Sequence, residues 1–354
     1  MNTRRNFLKN IIAAGGVSLF ANEHIIGSTL HVEPLTKNSK IWCNLIHLSF
    51  NLWEDHNRLS ASLDPTIKAR VFDEKLRVSD ALWNDCVIRM HHYGMNMVLL
   101  DLGDAILYES HPEIAVKNAW SVERLKAEIK KLKALGIEPI PKLNFSAGHD
   151  AWLGKYSHML STDLYYQVCK DLVEEVVEIF ESPRFFHIGY DEEDYRNQRF
   201  YDYVVLRQND LWWKDLYYFV DLLGRYNARP WIWSDYAWDY PESFFRKMPK
   251  EVIQSNWYYK DDFSNLNDIA IKTYLKLEEN GFDQIPTAGY YEHTSGVYRA
   301  EKSAVETVKF AKQHIGDKYL LGFIQTNWRP TTEVYRKDIL KSIELLGDSM
   351  KLQF

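Results

Sequence analysis

Beyond residue 40 the chain alternates two kinds of pattern. Short apolar runs of strand length are followed by longer stretches in which apolar residues recur every three or four positions, the spacing of one helix face. Over 163–181, Leu172, Val173, Val176, Val177 and Phe180 keep that spacing while Glu174, Glu175 and Glu178 fill the opposite face. Similar patterns predict helices near 79–92, 121–135, 210–226, 264–280, 301–314 and 331–347, with Gly136 and Gly281 where two of them should stop. The runs between them predict strands at Ile41–Phe50, Asn96–Asp101, Glu138–Asn144, Phe185–Gly189, Pro230–Trp233, Val252–Trp257, Ile285–Tyr290 and Leu320–Trp328. Residues 52–78 and 104–119 read as loops. Eight strand–helix repeats over about 310 residues fit a (β/α)8 TIM barrel, a single domain over 40–354. A doubly wound open sheet would carry a glycine-rich turn after an early strand, and none is present. A barrel also fixes where chemistry must lie, at the C-terminal ends of its strands.

The first 39 residues follow a different logic. Arg4 and Arg5 precede an apolar stretch, Ile11–Ala21, far shorter than the roughly 20 residues a membrane-spanning helix needs. A charged start, a short apolar core and the small residue Ala21 make a signal peptide over 1–27, with 28–39 a polar linker. Arg4-Arg5 with Phe7 and Leu8 resembles the twin-arginine export signal, which is read by an export receptor. The expectation is an exported bacterial protein, periplasmic or extracellular, whose mature form is not membrane-embedded.

Composition narrows the function. With 46% hydrophobic residues, 16 Gly and 11 Pro, the 354-residue chain is neither disordered nor low-complexity. A net charge of −6 argues against a nucleic-acid partner, which requires a basic face. Cys43, Cys86 and Cys169 are odd in number and too dispersed for a disulfide framework or a cysteine metal site. His91-His92 points two ways from one helix and Trp212-Trp213 reads as helix packing, so no metal site is expected. The unusual counts are 12 Trp and 22 Tyr, because indoles stack on the aliphatic faces of sugars.

The expected strand ends carry carboxylates, amides and indoles: Asp101, Asn144, His149, His187, Asp191, Glu192, Trp233, Asp235, Asn256, Trp257, Tyr290, Glu292 and Trp328. Converging on one mouth, they describe a carbohydrate site in which acids move protons and indoles hold pyranose faces. Phosphate chemistry would want a glycine-rich cradle or clustered cations instead. Glu193 and Asp194 suit a helix start, where the dipole favours acids. Asp191 and Glu192, directly after an apolar strand, should face the mouth.

The segment His187-x-Gly189-x-Asp191-Glu192 resembles the H-x-G-x-D-E signature of glycoside hydrolase family 20, the β-N-acetylhexosaminidases. Met95-Asn96 with Leu100-Asp101-Leu102, Leu135–Pro141 running into Ala147-Gly148-His149, Trp233-Ser234-Asp235, Asn256-Trp257, Tyr290-x-Glu292 and Gly322–Trp328 resemble that family's other strands in order and spacing. The resemblance covers residues 40–330. It implies a retaining, substrate-assisted glycoside hydrolase that needs no cofactor. Glu192 would be the general acid, and Asp191 would orient the 2-acetamido group that attacks the anomeric carbon. Tyr290 would donate to the attacking oxygen, and Trp233, Trp257 and Trp328 would wall the acetamido pocket. His149, Asp235 and Glu292 would complete the substrate-binding set.

Three departures stand out. The family's first-strand Arg is absent from Ile46–Phe50, Arg329-Pro330 replace the Glu expected after Trp328, and the family's N-terminal α/β domain has no counterpart before residue 40. Two rival readings therefore remain open. One is a conventional two-carboxylate glycosidase using Asp101, Asp235 or Glu292 as nucleophile or base. The other is a glycan-binding barrel without catalysis.

Overall fold

The computed structural model describes residues 39–55, 69–199, 201–291 and 300–352. The expected signal peptide and all but the last residue of the linker lie outside them, as does Glu292. Eight parallel strands form one sheet: β1 (Ile41–His47), β2 (Met97–Asp101), β3 (Glu138–Lys142), β4 (Phe185–Gly189), β5 (Arg229–Trp233), β6 (Ile253–Ser255), β7 (Thr287–Gly289) and β8 (Gly322–Thr326). Each pairs with its sequence neighbour except β6 with β7, and β1 pairs with β8 from Ile41 with Gly322 onward. The ring closes between β6 and β7 through isolated parallel bridges, Gln254 with Gln284 and Trp257 with Thr287. This is the (β/α)8 barrel that the alternating pattern predicts.

Two apolar cores follow from the two-residue period of the strands. Ile41, Cys43, Leu45, Met97, Leu99, Ile140, Trp231, Ile253 and Ile324 point inward and fill the barrel. Trp42, Ile46, Val98 and Leu100 point outward and meet the helices. Those helices are α1 (Asp80–His92), α2 (Val122–Ala134), α3 (Asp163–Ile179), α4 (Asn209–Gly224), the short α5 (Tyr236–Asp239) and α6 (Pro241–Lys247), α7 (Ile269–Glu279), α8 (Ser303–His314) and α9 (Arg336–Ser349). Ser79, Ser121 and Thr162 cap α1, α2 and α3 by accepting a backbone N–H three residues on, as capping chemistry requires. The α3 face that meets the barrel is the one the pattern gives, Leu172, Val173, Val176 and Val177.

Several boundaries move. Strand β1 ends at His47, because Leu48 and Ser49 leave the ladder and both donate to Asp101 O, although Leu48 and Phe50 stay buried. Helix α7 starts after its Asp268 cap, and α9 starts only at Arg336, behind a turn at Glu333–Tyr335. The loop after β2 is not wholly irregular, since Ile106–Leu107 pairs with Trp120–Ser121. No helix among the described residues is long and apolar enough to cross a membrane. The three cysteines are free and buried.

One layer of the barrel is ionic. Lys142 Nζ lies 2.7 Å and His47 Nδ1 2.9 Å from the same Asp101 oxygen, all three side chains fully buried. Burial and the Lys142 charge together outweigh Asp101 and hold the His47 imidazole below its usual range.

Candidate active site

Strand β4 delivers the two adjacent acids. It leaves the sheet through a left-handed run, with φ of 77° at Gly189, 71° at Tyr190 and 48° at Glu192. Gly189 is required there, since a Cβ would stand 1.9 Å from Asn144 Oδ1. Positive φ at Tyr190 and Glu192 is strain of a kind that concentrates at functional sites. The run also keeps residues 190–199 out of any helix. Glu193 and Asp194 therefore do not cap a helix start as expected; Glu193 is buried against Arg207, at 2.5 Å, and Asp194 pairs with Arg196 at 2.6 Å.

Asp191 is held from the loop after β3. Ser146 Oγ donates to its Oδ1 at 2.6 Å and accepts the Asp191 amide at 2.8 Å, while Asn144 Nδ2 donates to the same oxygen at 3.2 Å. His149 bridges the pair, its Nε2 3.1 Å from Glu192 Oε2 and 3.4 Å from Asp191 Oδ2. Burial alone would lower the imidazole, but the two carboxylates overcome it and raise it above its ordinary value. The converse holds at Glu192. Desolvation in the cleft would raise its half-exposed carboxyl, yet the bond to His149 and the charges of His149 and Arg70 bring it below the usual range. These three residues also present one ligand atom each within 4.8 Å of one another, a set chemically able to hold a cation.

Asp235 plays a part the sequence does not reveal. It sits behind Glu192, where its Oδ2 accepts the Glu192 amide at 2.7 Å and its Oδ1 lies 3.4 Å from Trp257 Nε1. Burial first, and then the Asp191 charge, push its carboxyl up to about 8.

These groups open on a small cavity of about 90 Å³ at the mouth of the barrel. Of the expected residues, His149, Asp191, Glu192, Trp233, Trp257 and Trp328 line it. Trp233 and Trp328 stand 5.9 Å apart, and Trp257 stacks on Tyr259 at 5.1 Å and 15°. Trp328 Nε1 donates to the Tyr259 hydroxyl at 3.1 Å. Tyr290 is a correction. Inward positions on this segment run Ile285, Thr287, Gly289 and then Tyr291, so Tyr291 lines the cavity. Tyr290 faces outward, buried beside a hollow that includes Arg89 and Glu301. Asp101 is enclosed in the ionic layer and is not part of the cavity wall.

Four lining residues escape sequence reasoning: Trp53, Arg70, Tyr259 and Tyr291. Arg70 lies 4.9 Å from the Trp53 ring centroid and comes from the segment between β1 and α1, where Ala69 and Arg70 are helical. A cation absent from the first strand thus reaches the mouth from the segment that follows it. A long loop at the C-terminal end of a barrel strand is the signal that could have found it.

No protein-family model and no curated protein sequence matches the chain. Solved structures do match. A β-N-acetylhexosaminidase from Bacteroides fragilis aligns with a TM-score of 0.57 and 16% identity, over 86% of this chain and 65% of that one. Dispersin B aligns with a TM-score of 0.55 and 15% identity, over 88% of this chain and 100% of its own. A family 20 exo-β-N-acetylglucosaminidase from Vibrio harveyi, in complex with N-acetylglucosamine, aligns with a TM-score of 0.57 and 14% identity, over 87% and 54%. The chain therefore spans 65% of the length of the first and about half of the third. At these identities the likeness establishes the shared barrel.

Proposed function

We propose that the protein is an exported glycoside hydrolase that cleaves N-acetylhexosaminides with retention, using the substrate's own 2-acetamido group as nucleophile. One observation carries the reading. Among the described residues the cavity wall holds two carboxylates, Asp191 and Glu192, and they are neighbours sharing one histidine. A conventional retaining site sets a nucleophile carboxylate across the sugar from the acid, about 5–5.5 Å away. The barrel's likeness to β-N-acetylhexosaminidases supports the same choice.

In this reading Glu192 gives its proton to the glycosidic oxygen as the bond to the anomeric carbon breaks. The acetamido carbonyl oxygen closes on that carbon, and Asp191 stabilises the resulting oxazolinium ion through its N–H. Glu192 then takes a proton from water, whose oxygen opens the ring and restores the acetamido group. In the empty site Glu192 is ionised, and His149, raised by both carboxylates and 3.1 Å away, is the source of its proton. The Tyr259 hydroxyl, tied to Trp328 and within the field of Asp191, supplies the hydrogen bond that the family resemblance assigns to Tyr290. Arg70 replaces the first-strand Arg toward sugar hydroxyls. No step calls for a cofactor.

The test compares aryl 2-acetamido and 2-hydroxy glycosides, with a thiazoline mimic of the oxazolinium ion as inhibitor. Only the acetamido substrate should turn over, and the thiazoline should inhibit strongly. Glu192→Gln should lower turnover by roughly 10²–10⁴-fold on natural glycans and less on activated aryl substrates. Equal cleavage of both glycosides without thiazoline inhibition would refute the mechanism; tight glycan binding with no hydrolysis would make the barrel a binding module. Export rests on Arg4 and Arg5. Replacing both with Lys should strand the precursor in the cytoplasm, and normal export of that variant would overturn the signal.

A further inference from the structure

The acid pair and the hydroxyl that holds Asp191 come from different loops, after β4 and after β3, and one buried side chain joins the two. Arg207 lies in the segment between β4 and α4, its side chain fully enclosed. Its Nε donates to the two Glu193 oxygens at 3.0 and 3.1 Å, its Nη2 to the Phe145 carbonyl at 2.5 Å and its Nη1 to Asp215 at 3.1 Å. The guanidinium also lies over the Tyr190 ring, 4.3 Å from its centroid. Glu193 in turn accepts the Ala147 amide at 3.2 Å.

These contacts bracket the site. Tyr190 and Glu193 stand immediately either side of Asp191 and Glu192, while Phe145 and Ala147 stand immediately either side of Ser146. Ser146 is the residue that both donates to the Asp191 carboxylate and accepts its amide. Charge neutralisation does not call for this arrangement, since Asp215 alone would balance Arg207. Nor does stability, because apolar side chains often fill such a space as well as a buried ion pair does. A rigid fork of directed donors instead fixes how two segments sit against each other. The positive φ values at Tyr190 and Glu192 need such bracing to persist.

We propose that Arg207, acting through Glu193, is a positioning residue that locks the β3 loop to the β4 loop and so keeps Ser146, and with it Asp191, in the geometry that receives the acetamido group. The inference rests on Asp191 and Glu192 as the reacting pair.

The experiment compares wild type, Arg207→Met, Glu193→Ala and, as a control, Ile343→Ala, a buried apolar change on α9 outside both loops. Urea denaturation measures the stability of each, and an aryl 2-acetamido glycoside and the thiazoline measure the site. Arg207→Met should lower kcat about 10²-fold while KM moves less than about three-fold, and the thiazoline inhibition constant should rise with the loss in kcat, because the misplaced group acts in the transition state. Glu193→Ala should show the same split with about a 10-fold loss. Ile343→Ala, although destabilised, should keep kcat within about two-fold. Should Arg207→Met fail to fold, Glu193→Ala decides, since Arg207 then keeps its Asp215 partner. Wild-type kcat and thiazoline inhibition in folded Glu193→Ala, or a loss that Ile343→Ala shares, would overturn the positioning role. A wild type that does not cleave the glycoside would instead refute the acid pair, and the positioning role with it.

Discussion

Asp235 offers a test of the site that needs no substrate. It is 8% exposed, and burial together with the neighbouring Asp191 raises its carboxyl to about 8. In the unfolded chain the same group ionises near pH 4. Between those values the native protein holds a proton that the unfolded chain has released. Native stability therefore falls as pH rises through this window, by about 1.4 kcal/mol per pH unit, and levels off above about 8. This is the reverse of a paired surface carboxylate. Asp235→Asn copies the protonated form and keeps an oxygen for the Glu192 amide, so it lacks the slope. Wild type and variant should be similarly stable near pH 4, and the variant should gain about 3 kcal/mol on wild type between pH 5 and pH 7. Urea denaturation of both proteins at the two pH values reads this difference directly. Parallel curves, within about 1 kcal/mol, would mean that the native carboxyl is ionised and that the electrostatic account of the site is wrong.

Lys142→Met should destabilise the fold by about 3–5 kcal/mol at pH 8, because it leaves the Asp101 charge buried beside a neutral imidazole. The deficit should shrink as pH falls, where His47, freed of the Lys142 charge, takes a proton and replaces it; denaturation at acidic and alkaline pH decides. Gly189→Ala should cost about 1–3 kcal/mol in backbone strain and should also displace Asn144, loosening Asp191, so hydrolysis should fall further than the stability loss explains. An active, fully stable Gly189→Ala enzyme would contradict the tight turn after β4.

The sequence carries the barrel and its acidic pair, and the reasons for its omissions are physical. Strand starts are legible because apolar runs begin with the ladder. Strand ends are not, since Leu48 and Phe50 stay buried after pairing stops and hydropathy reports burial, not hydrogen bonds. Asp191 and Glu192 are found because a short motif fixes their spacing, and His149 through the separate Ala147-Gly148-His149 turn. Tyr290 misleads because Thr287-Ala288-Gly289-Tyr290-Tyr291 has little polar contrast by which to set the two-residue register. Arg70 and Trp53 lie in a stretch, 52–78, whose sequence shows no periodicity and reads as a loop, although Arg70 is helical in the structure. Asp235 looks like a sugar ligand in sequence but spends its carboxylate on a backbone amide, a contact that composition cannot announce.

The barrel's seam has one more consequence. Tyr259, just beyond β6, lies across the gap onto β7, where Gly289 leaves room; a Cβ there would come within 2.5 Å of the ring. The ring that shapes the cavity thus also packs over a junction where isolated bridges, with hydrogen bonds such as Ile285 N to Gln254 O and Thr287 N to Asn256 O, replace a continuous ladder. One ring serves both the wall of the cavity and the seam between β6 and β7, so replacing Tyr259 should alter the two together.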